Sequence, residues 1–400
     1  MQDALNTAYD VVVCGAGPAG LLAARTLALA SPELSVALLD RQAPWREPVC
    51  CAEAVAAAPL AAQLPVDPAW VRQTLSGLCL VSPDGTRLEY RQPGAGLLLN
   101  RALLHRRLAE FNRARGVHCH FACEVRGLER AADGGWTVRV RQDGAERLLA
   151  ARAVIDATGP GGRLTRHLPG LATLGDGRFD LESAVFTLAE GIPHRPDTIE
   201  LHFSREHFPG GYGWVFPRDG TTVNVGLGVG RDWRGAAGPS LRERLARWLR
   251  ERWPDAVCHG WFGGPIPCGQ SGRPLALDGV FKAGDAASCV NPVSRSGITE
   301  AMASGRLAGE AAACWLAAPP ERRPQVERDL RDAWMQARGR RHERLARVKP
   351  VVQAIPDAVL DRLARRLTAL PAARRTPFRL FWQALTAEPA LMWKLRPLVG

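Results

Sequence analysis

Two adjacent cysteines, Cys50 and Cys51, stand in "REPVCCAEAV" (46–55), with Glu53 two positions on. Thiols next to a carboxylate can move protons, bind a metal or pair as a disulfide. Adjacent Cα atoms lie about 3.8 Å apart across a trans peptide, short of the about 4.4–6.8 Å that disulfides span. A Cys50–Cys51 bridge would strain the backbone, and no ligand spacing near the pair points to a metal. A second cluster is His118, Cys119, His120 and Cys123. Read as one strand, it sends both histidines to one side and both cysteines to the other, so four ligands do not converge. The remaining chemistry lies in glycine turns with an acid nearby. These are Gly15, Gly17 and Gly20 with Asp40, and Gly284-Asp285 followed by Gly297.

Those turns need elements that hold them. "YDVVVCGAGPAG" is an apolar strand running into GxGxxG, "LLAARTLALA" is helical, and "LSVALLD" is a second buried strand ending at Asp40. In that setting Gly15 permits the tight turn, Gly17 admits a pyrophosphate, and Gly20 lets helix and strand pack closely. The helix N-terminus offers free N–H groups to phosphates, and Asp40 offers an acceptor to ribose hydroxyls. This predicts a dinucleotide without separating FAD from NAD. Near residue 283, "AGDAASCVNPVSRSGITEAMASG" repeats the logic: Asp285 suits a hydroxylated chain, and the helix start at Gly297-Ile298 suits negative charge on a ring system.

Between them, "LCLVSPDGTRLEY" reads as a hairpin turning at Asp84-Gly85, and "NRALLHRRLAEFNRARG" as an amphipathic helix. "VHCHFACEVRGLE" alternates as one strand, and "WTVRVRQDGAERLLARAVIDATG" reads as a hairpin followed by a buried strand. In "GYGWVFPRDG", Tyr212, Trp214 and Phe216 alternate on a strand, so they line one face, as a substrate wall or as ordinary core. From residue 321 the pattern is helical.

The net charge is +12, with 18 basic against 8 acidic residues in 321–400. Such a surface is either simply solvated or faces phosphate or anionic lipid. Nucleic acid is not expected, because the basic stretch lacks the aromatic interleaving of a recognised module. No secretory signal and no uncharged apolar span stand out, and ten unevenly spaced cysteines suggest reduced thiols. The expectation is a cytoplasmic protein whose basic helices are either a solvated surface or a peripheral membrane contact.

GAGPAG, DATGPGG and AGDAA, in this order, resemble the FAD-binding motifs of the flavoprotein superfamily that includes the aromatic hydroxylases. "PVCCAEAV", "YGWVFP", "NVGLGV" and "GGPIP" further resemble the geranylgeranyl reductase family, over residues 8–320. The resemblance implies a mixed α/β (α+β) fold: a Rossmann-like FAD-binding domain with an inserted antiparallel-sheet substrate domain and a C-terminal helical region. It assigns FAD binding to 1–75, 98–170 and 268–320, substrate to 76–97 and 171–267, and a basic helical region to 321–400. It implies Gly15, Gly17, Ala19 and Gly20 at the pyrophosphate, and Asp40 with Arg41 at the ribose. Arg101 then contacts the cofactor, Val125 lies near the adenine, Gly284 and Asp285 take the ribityl chain, and Gly297 and Ile298 meet the ring. Cys51, Ala52 and Ala54 match a cysteine loop beside the flavin, with Cys51 as proton donor or as packing. Three departures are the loop itself, where the family often has glycines, His105, where it often has an acid, and Cys50, at a position often basic. The implied reaction is reduction of prenyl double bonds on a lipidic substrate, with NADPH or ferredoxin as electron donor. No second strand–GxGxxG–helix appears for a nicotinamide. A flavin monooxygenase acting on an aromatic compound is the alternative on the same fold.

Overall fold

A computed structural model of the chain describes residues 5–42, 47–172, 180–233, 238–269, 274–371, 375, 379, 383 and 386–395. In chain order the elements begin with β1 (Ala8–Cys14), α1 (Pro18–Ala30), β2 (Val36–Leu39), β3 (Ala54–Ala56), α2 (Ala57–Ala61), β4 (Val71–Val81) and β5 (Arg87–Leu99). Next come α3 (Arg101–Arg113), β6 (His118–His120), β7 (Cys123–Arg130), β8 (Trp136–Gln142), β9 (Ala145–Asp156), β10 (Leu181–Glu190) and β11 (Thr198–His202). They continue with β12 (Tyr212–Asp219), β13 (Thr222–Val229), α4 (Leu241–Arg252), β14 (Val257–Pro267), β15 (Ala276–Leu277) and β16 (Val280–Lys282). The chain closes with α5 (Ile298–Ala317), α6 (Arg323–Trp334), α7 (Arg340–Gln353), α8 (Asp357–Thr368) and α9 (Pro389–Leu395).

Two compact units result, one from 1–49, 101–180 and 267–343, the other from 50–100, 181–266 and 344–400. The first unit is built on a sheet ordered β15-β16-β9-β1-β2-β6, extended by β7 and β8. Its centre is parallel: β1 pairs with β2 and β9, β9 with β16, and β2 with β6. Parallel strands covered on both faces must be apolar throughout, and β2, VALL, is fully buried along its length. Helix α5 lies tightly against α1 because Gly305 and Gly309 leave room. A Cβ at Gly305 would sit 2.0 Å from the Ala19 carbonyl oxygen, and one at Gly309 2.7 Å from that of Ala23. Strand β9 is one long element where a hairpin arm and a separate buried strand are predicted. Its first part pairs antiparallel with β8 and its last part parallel with β1 and β16. The predicted single strand over 117–129 is instead two, broken where Ala122 takes a left-handed φ of 51°.

The second unit has an eight-stranded sheet ordered β14-β10-β13-β12-β11-β4-β5-β3. Antiparallel pairing joins β10, β13, β12 and β11 in turn, and β4, β5 and β3 likewise, while β11 and β4 pair in parallel. Val215, Val225 and Leu227 face Leu245, Trp248 and Leu249 of α4, a buried apolar layer. That helix starts at a capping box, Ser240 with Glu243, a feature worth about 1 kcal/mol. Residues 50–75 of the first expected FAD-binding segment pair into this sheet through β3 and β4, so the two compact units divide that segment after residue 49. The 321–400 region is likewise divided, inside α7. Trp334 is fully buried in the first unit, while Lys349 forms a buried pair with Glu182 in the second (Nζ–Oε1 2.6 Å).

Candidate functional site

In the first unit β1 ends at Cys14 and the chain turns at Gly15, with φ +108°. A Cβ at Gly15 would lie 2.2 Å from the Ala157 carbonyl oxygen, and one at Gly20 1.8 Å from that of Gly15. These two glycines are required by the chain's own packing. Gly17 differs, because nothing lies within 4 Å of where its Cβ would be. It begins α1 without a side-chain cap, leaving first-turn N–H groups and a positive dipole end available to an anion. The Asp40 carboxylate accepts from the Ala16 N–H at 2.6 Å and the Gln42 N–H at 2.7 Å, which ties it to the glycine turn. Its remaining lone pairs can accept hydroxyls, and Arg41 beside it is exposed.

At the end of β16, Gly284 takes φ +60° and its N–H donates to Ser304 Oγ at 2.9 Å. The neighbouring Asp285 is partly buried, and its carboxylate makes no hydrogen bond among the described residues. Burial pushes its pKa up to about 6, against the opposing pull of Arg101. Arg101 is itself buried, and its Nη2 donates to His105 Nε2 at 3.1 Å. Burial, with the Arg101 charge adding to it, holds His105 well below its ordinary value. The ring is neutral and accepts, so the histidine orients the arginine. Gly297 starts α5 without a side-chain cap, and a Cβ there would lie 3.8 Å from Asp285 Oδ1. Val125 sits in the core with Leu39 and Cys123. His118 and His120 both approach the Tyr9 hydroxyl, at 3.4 and 3.5 Å.

An open backbone at Gly17, uncapped helix starts and a carboxylate without a donor form the set that a pyrophosphate with a polyol chain requires. The residues therefore fit FAD. Gly15, Gly17, Ala19, Gly20, Asp40, Arg41, Arg101, Val125, Gly284, Asp285, Gly297 and Ile298 all belong to this unit.

Cys51, Ala52, Ala54 and the three aromatics belong to the second unit. Tyr212, Trp214 and Phe216 share one face, with ring centroids 6.4 and 6.5 Å apart along the strand. Phe186, Trp214 and Phe216 form an apolar cluster against which Ala52, Ala54, Leu188, Ile199 and Leu201 pack. Gly226 on the paired strand makes this bed possible: its Cβ would stand 2.4 Å from Trp214 Cζ2 and 2.6 Å from Phe186 Cβ. Cys50 is exposed, Cys51 is partly buried, and both are free thiols. Sequence reasoning missed Asn224, buried on β13. Its side-chain oxygen accepts from Trp214 Nε1 at 2.8 Å, and its Nδ2 donates to the Cys51 carbonyl oxygen at 3.0 Å. Glu53 stands out in the sequence only as a neighbour of the thiols. It is buried, and its backbone N–H donates to Cys51 Sγ at 3.2 Å.

Residues 50–311 match the family described as FAD dependent oxidoreductase, and residues 10–84 match an FAD binding domain. Fold and site thus define an FAD-dependent oxidoreductase. The digeranylgeranylglycerophospholipid reductase of Methanosarcina mazei is 31% identical over 395 residues, covering 98% of this chain and 96% of its own. A geranylgeranyl bacteriochlorophyll reductase-like protein from Thermoplasma acidophilum has a similar structure, with a TM-score of 0.86 at 21% identity over 98% of this chain and 99% of that one. The p-nitrophenol 4-monooxygenase PnpA of Pseudomonas putida shares the fold more distantly, with a TM-score of 0.68 at 18% identity over 98% and 99% of the two chains. The chain belongs to the geranylgeranyl reductase family of FAD-dependent oxidoreductases. No described helix is long and apolar enough to cross a membrane.

Proposed function

We propose that this protein reduces carbon–carbon double bonds in the isoprenoid chains of a lipid. The observation that carries the reading is the aromatic bed of the second unit, joined through Asn224 to the Cys51 loop. Its buried apolar rings suit a prenyl chain, which offers no polar group to recognise. The digeranylgeranylglycerophospholipid reductases it resembles supply the substrate class.

Reduced FAD, when bound, supplies a hydride to one alkene carbon. Cys51 gives the proton to the other carbon: its S–H bond breaks, a C–H bond forms, and the thiolate left behind is reprotonated from water. In the first unit Gly15, Gly17, Ala19 and Gly20 hold the pyrophosphate, and Asp40 and Arg41 the ribose. Val125 would lie toward the adenine, Arg101 would contact the cofactor, Gly284 and Asp285 would bind the ribityl chain, and Gly297 with Ile298 would meet the ring. NADPH or ferredoxin provides the electrons, and the basic C-terminal helices touch the membrane that carries the lipid.

The test is anaerobic. Dithionite-reduced protein is mixed with a digeranylgeranyl lipid, and the product mass is measured. The expected result is two added hydrogens per double bond without oxygen. Substrate-dependent oxygen consumption with a hydroxylated product would instead support the monooxygenase reading.

A further inference from the structure

Cys51 is held at two points, its sulfur and its backbone carbonyl, by residues with no assigned role. Its sulfur accepts the Glu53 backbone N–H at 3.2 Å, and its carbonyl oxygen accepts Asn224 Nδ2 at 3.0 Å. The first contact depends on an unusual backbone, because Glu53 takes a left-handed φ of 66°. A non-glycine residue there is strained and persists only when its surroundings enforce it. The enforcing group is the Glu53 carboxylate, 2% exposed, which pairs with Arg218 at 2.5 Å and lies 3.9 Å from Arg72. Both arginines also reach Asp219, at 3.4 and 3.1 Å. The Glu53 carbonyl oxygen in turn accepts the Leu99 N–H at 3.0 Å, anchoring the loop to β5.

We propose that Glu53 and Asn224 are positioning residues that aim the Cys51 sulfur for proton transfer. The proposal rests on the reading of Cys51 as proton donor. An N–H on the sulfur fixes its direction and leaves its own S–H to point elsewhere. When the S–H bond breaks and the proton passes to carbon, the same N–H stabilises the negative sulfur through a hydrogen bond that is stronger to an ion than to a neutral thiol. Asn224 shares its amide between Trp214 and the loop, so the direction of the thiol is fixed relative to the apolar bed.

Glycine accepts φ +66° without strain, so Glu53→Gly removes the carboxylate lock while relieving the backbone. It is expected to fold. Glu53→Gln keeps the length and an acceptor for Arg218 and serves as the rescue variant. Asn224→Asp keeps the acceptor for Trp214 and removes the donor to Cys51. All three, with Cys51→Ala, are made in the full-length holoenzyme carrying Cys50→Ser, so that mass spectrometry of the peptide reports Cys51 alone. Two readouts are taken: the rate of Cys51 alkylation by iodoacetamide, and the stereochemistry of deuterium placed in the product during turnover in D2O.

For Glu53→Gly and Asn224→Asp, kcat is expected to fall by about 10-fold or more with KM little changed. Deuterium should lose its facial preference, and the alkylation rate should change several-fold. Glu53→Gln should recover most of the loss. Unchanged alkylation and stereochemistry in both Glu53→Gly and Asn224→Asp would overturn the positioning roles if Cys51→Ala is inactive. Full turnover and an intact facial preference in Cys51→Ala would instead remove the reading of Cys51 as donor, and the positioning proposal with it.

Discussion

Replacing Asp285 by asparagine should make the FAD-free protein more stable and at the same time bind FAD more weakly. Burial raises this carboxyl from 3.8 to about 6, with Arg101 opposing the shift. That rise corresponds to about 3 kcal/mol. Below pH 3.8 the group is protonated in folded and unfolded chains alike, and its burial carries no ionisation cost. As pH rises toward about 6 the unfolded chain ionises first, so the FAD-free fold loses up to this amount, and the full loss persists above. Hydroxyl groups donating to the carboxylate favour its ionised form, so FAD affinity should rise with pH, by up to about tenfold per unit, and level off above about pH 6. The amide of the Asp285→Asn variant has no charge to titrate. Losing a hydrogen bond to a charged group costs about 1.5–3 kcal/mol, or about 10- to 100-fold in FAD affinity at neutral pH, and the pH dependence should flatten. Fluorescence titration of FAD-free protein between about pH 5 and about pH 8, with thermal melts of both proteins, measures each effect. The reasoning is refuted if wild-type affinity does not change with pH and Asp285→Asn binds FAD as tightly.

Two further outcomes follow from the second unit. Gly226→Ala drives a methyl to 2.4 Å from Trp214 and 2.6 Å from Phe186. It should destabilise the fold by about 1–3 kcal/mol in urea unfolding and depress prenyl reduction while FAD content holds. A chain ended after residue 388 lacks the exposed Trp393 and Lys394. Co-sedimentation with anionic vesicles should fall several-fold with FAD retained, and undiminished binding would exclude this end as the membrane contact.

The parts legible in the sequence are those whose physics is local. A strand, a glycine turn and a helix start are contiguous, so Gly15, Gly17, Gly20 and Asp40 could be read together, as could Gly284, Asp285 and Gly297. The alternation of Tyr212, Trp214 and Phe216 likewise needs only one strand. What escaped depends on pairing between distant strands. Nothing near residue 50 announces that its loop is held by Asn224 and Arg218, because that meeting requires the sheet order that joins β3 and β5 to β4, β11, β12 and β13. The same pairing, invisible in composition, joins 50–75 to the second sheet. Ala122 gives no glycine signal for the left-handed turn that breaks β6 from β7.

Some signals were present but unused. Gly226 in "NVGLGV" marks where an aromatic ring must cross a neighbouring strand, and Asn224 is the one polar residue of that otherwise apolar stretch. The chain's 52 basic residues include only three lysines, and two of these, Lys282 and Lys349, are buried. A compact ammonium fits where a planar guanidinium does not: Lys282 Nζ donates to the Leu171 carbonyl oxygen at 3.0 Å, and Lys349 pairs with Glu182. In an arginine-rich chain a lysine is thus the residue to suspect of burial. By the same reasoning, a glutamate two residues from a thiol is as informative for the backbone conformation it locks as for its own charge.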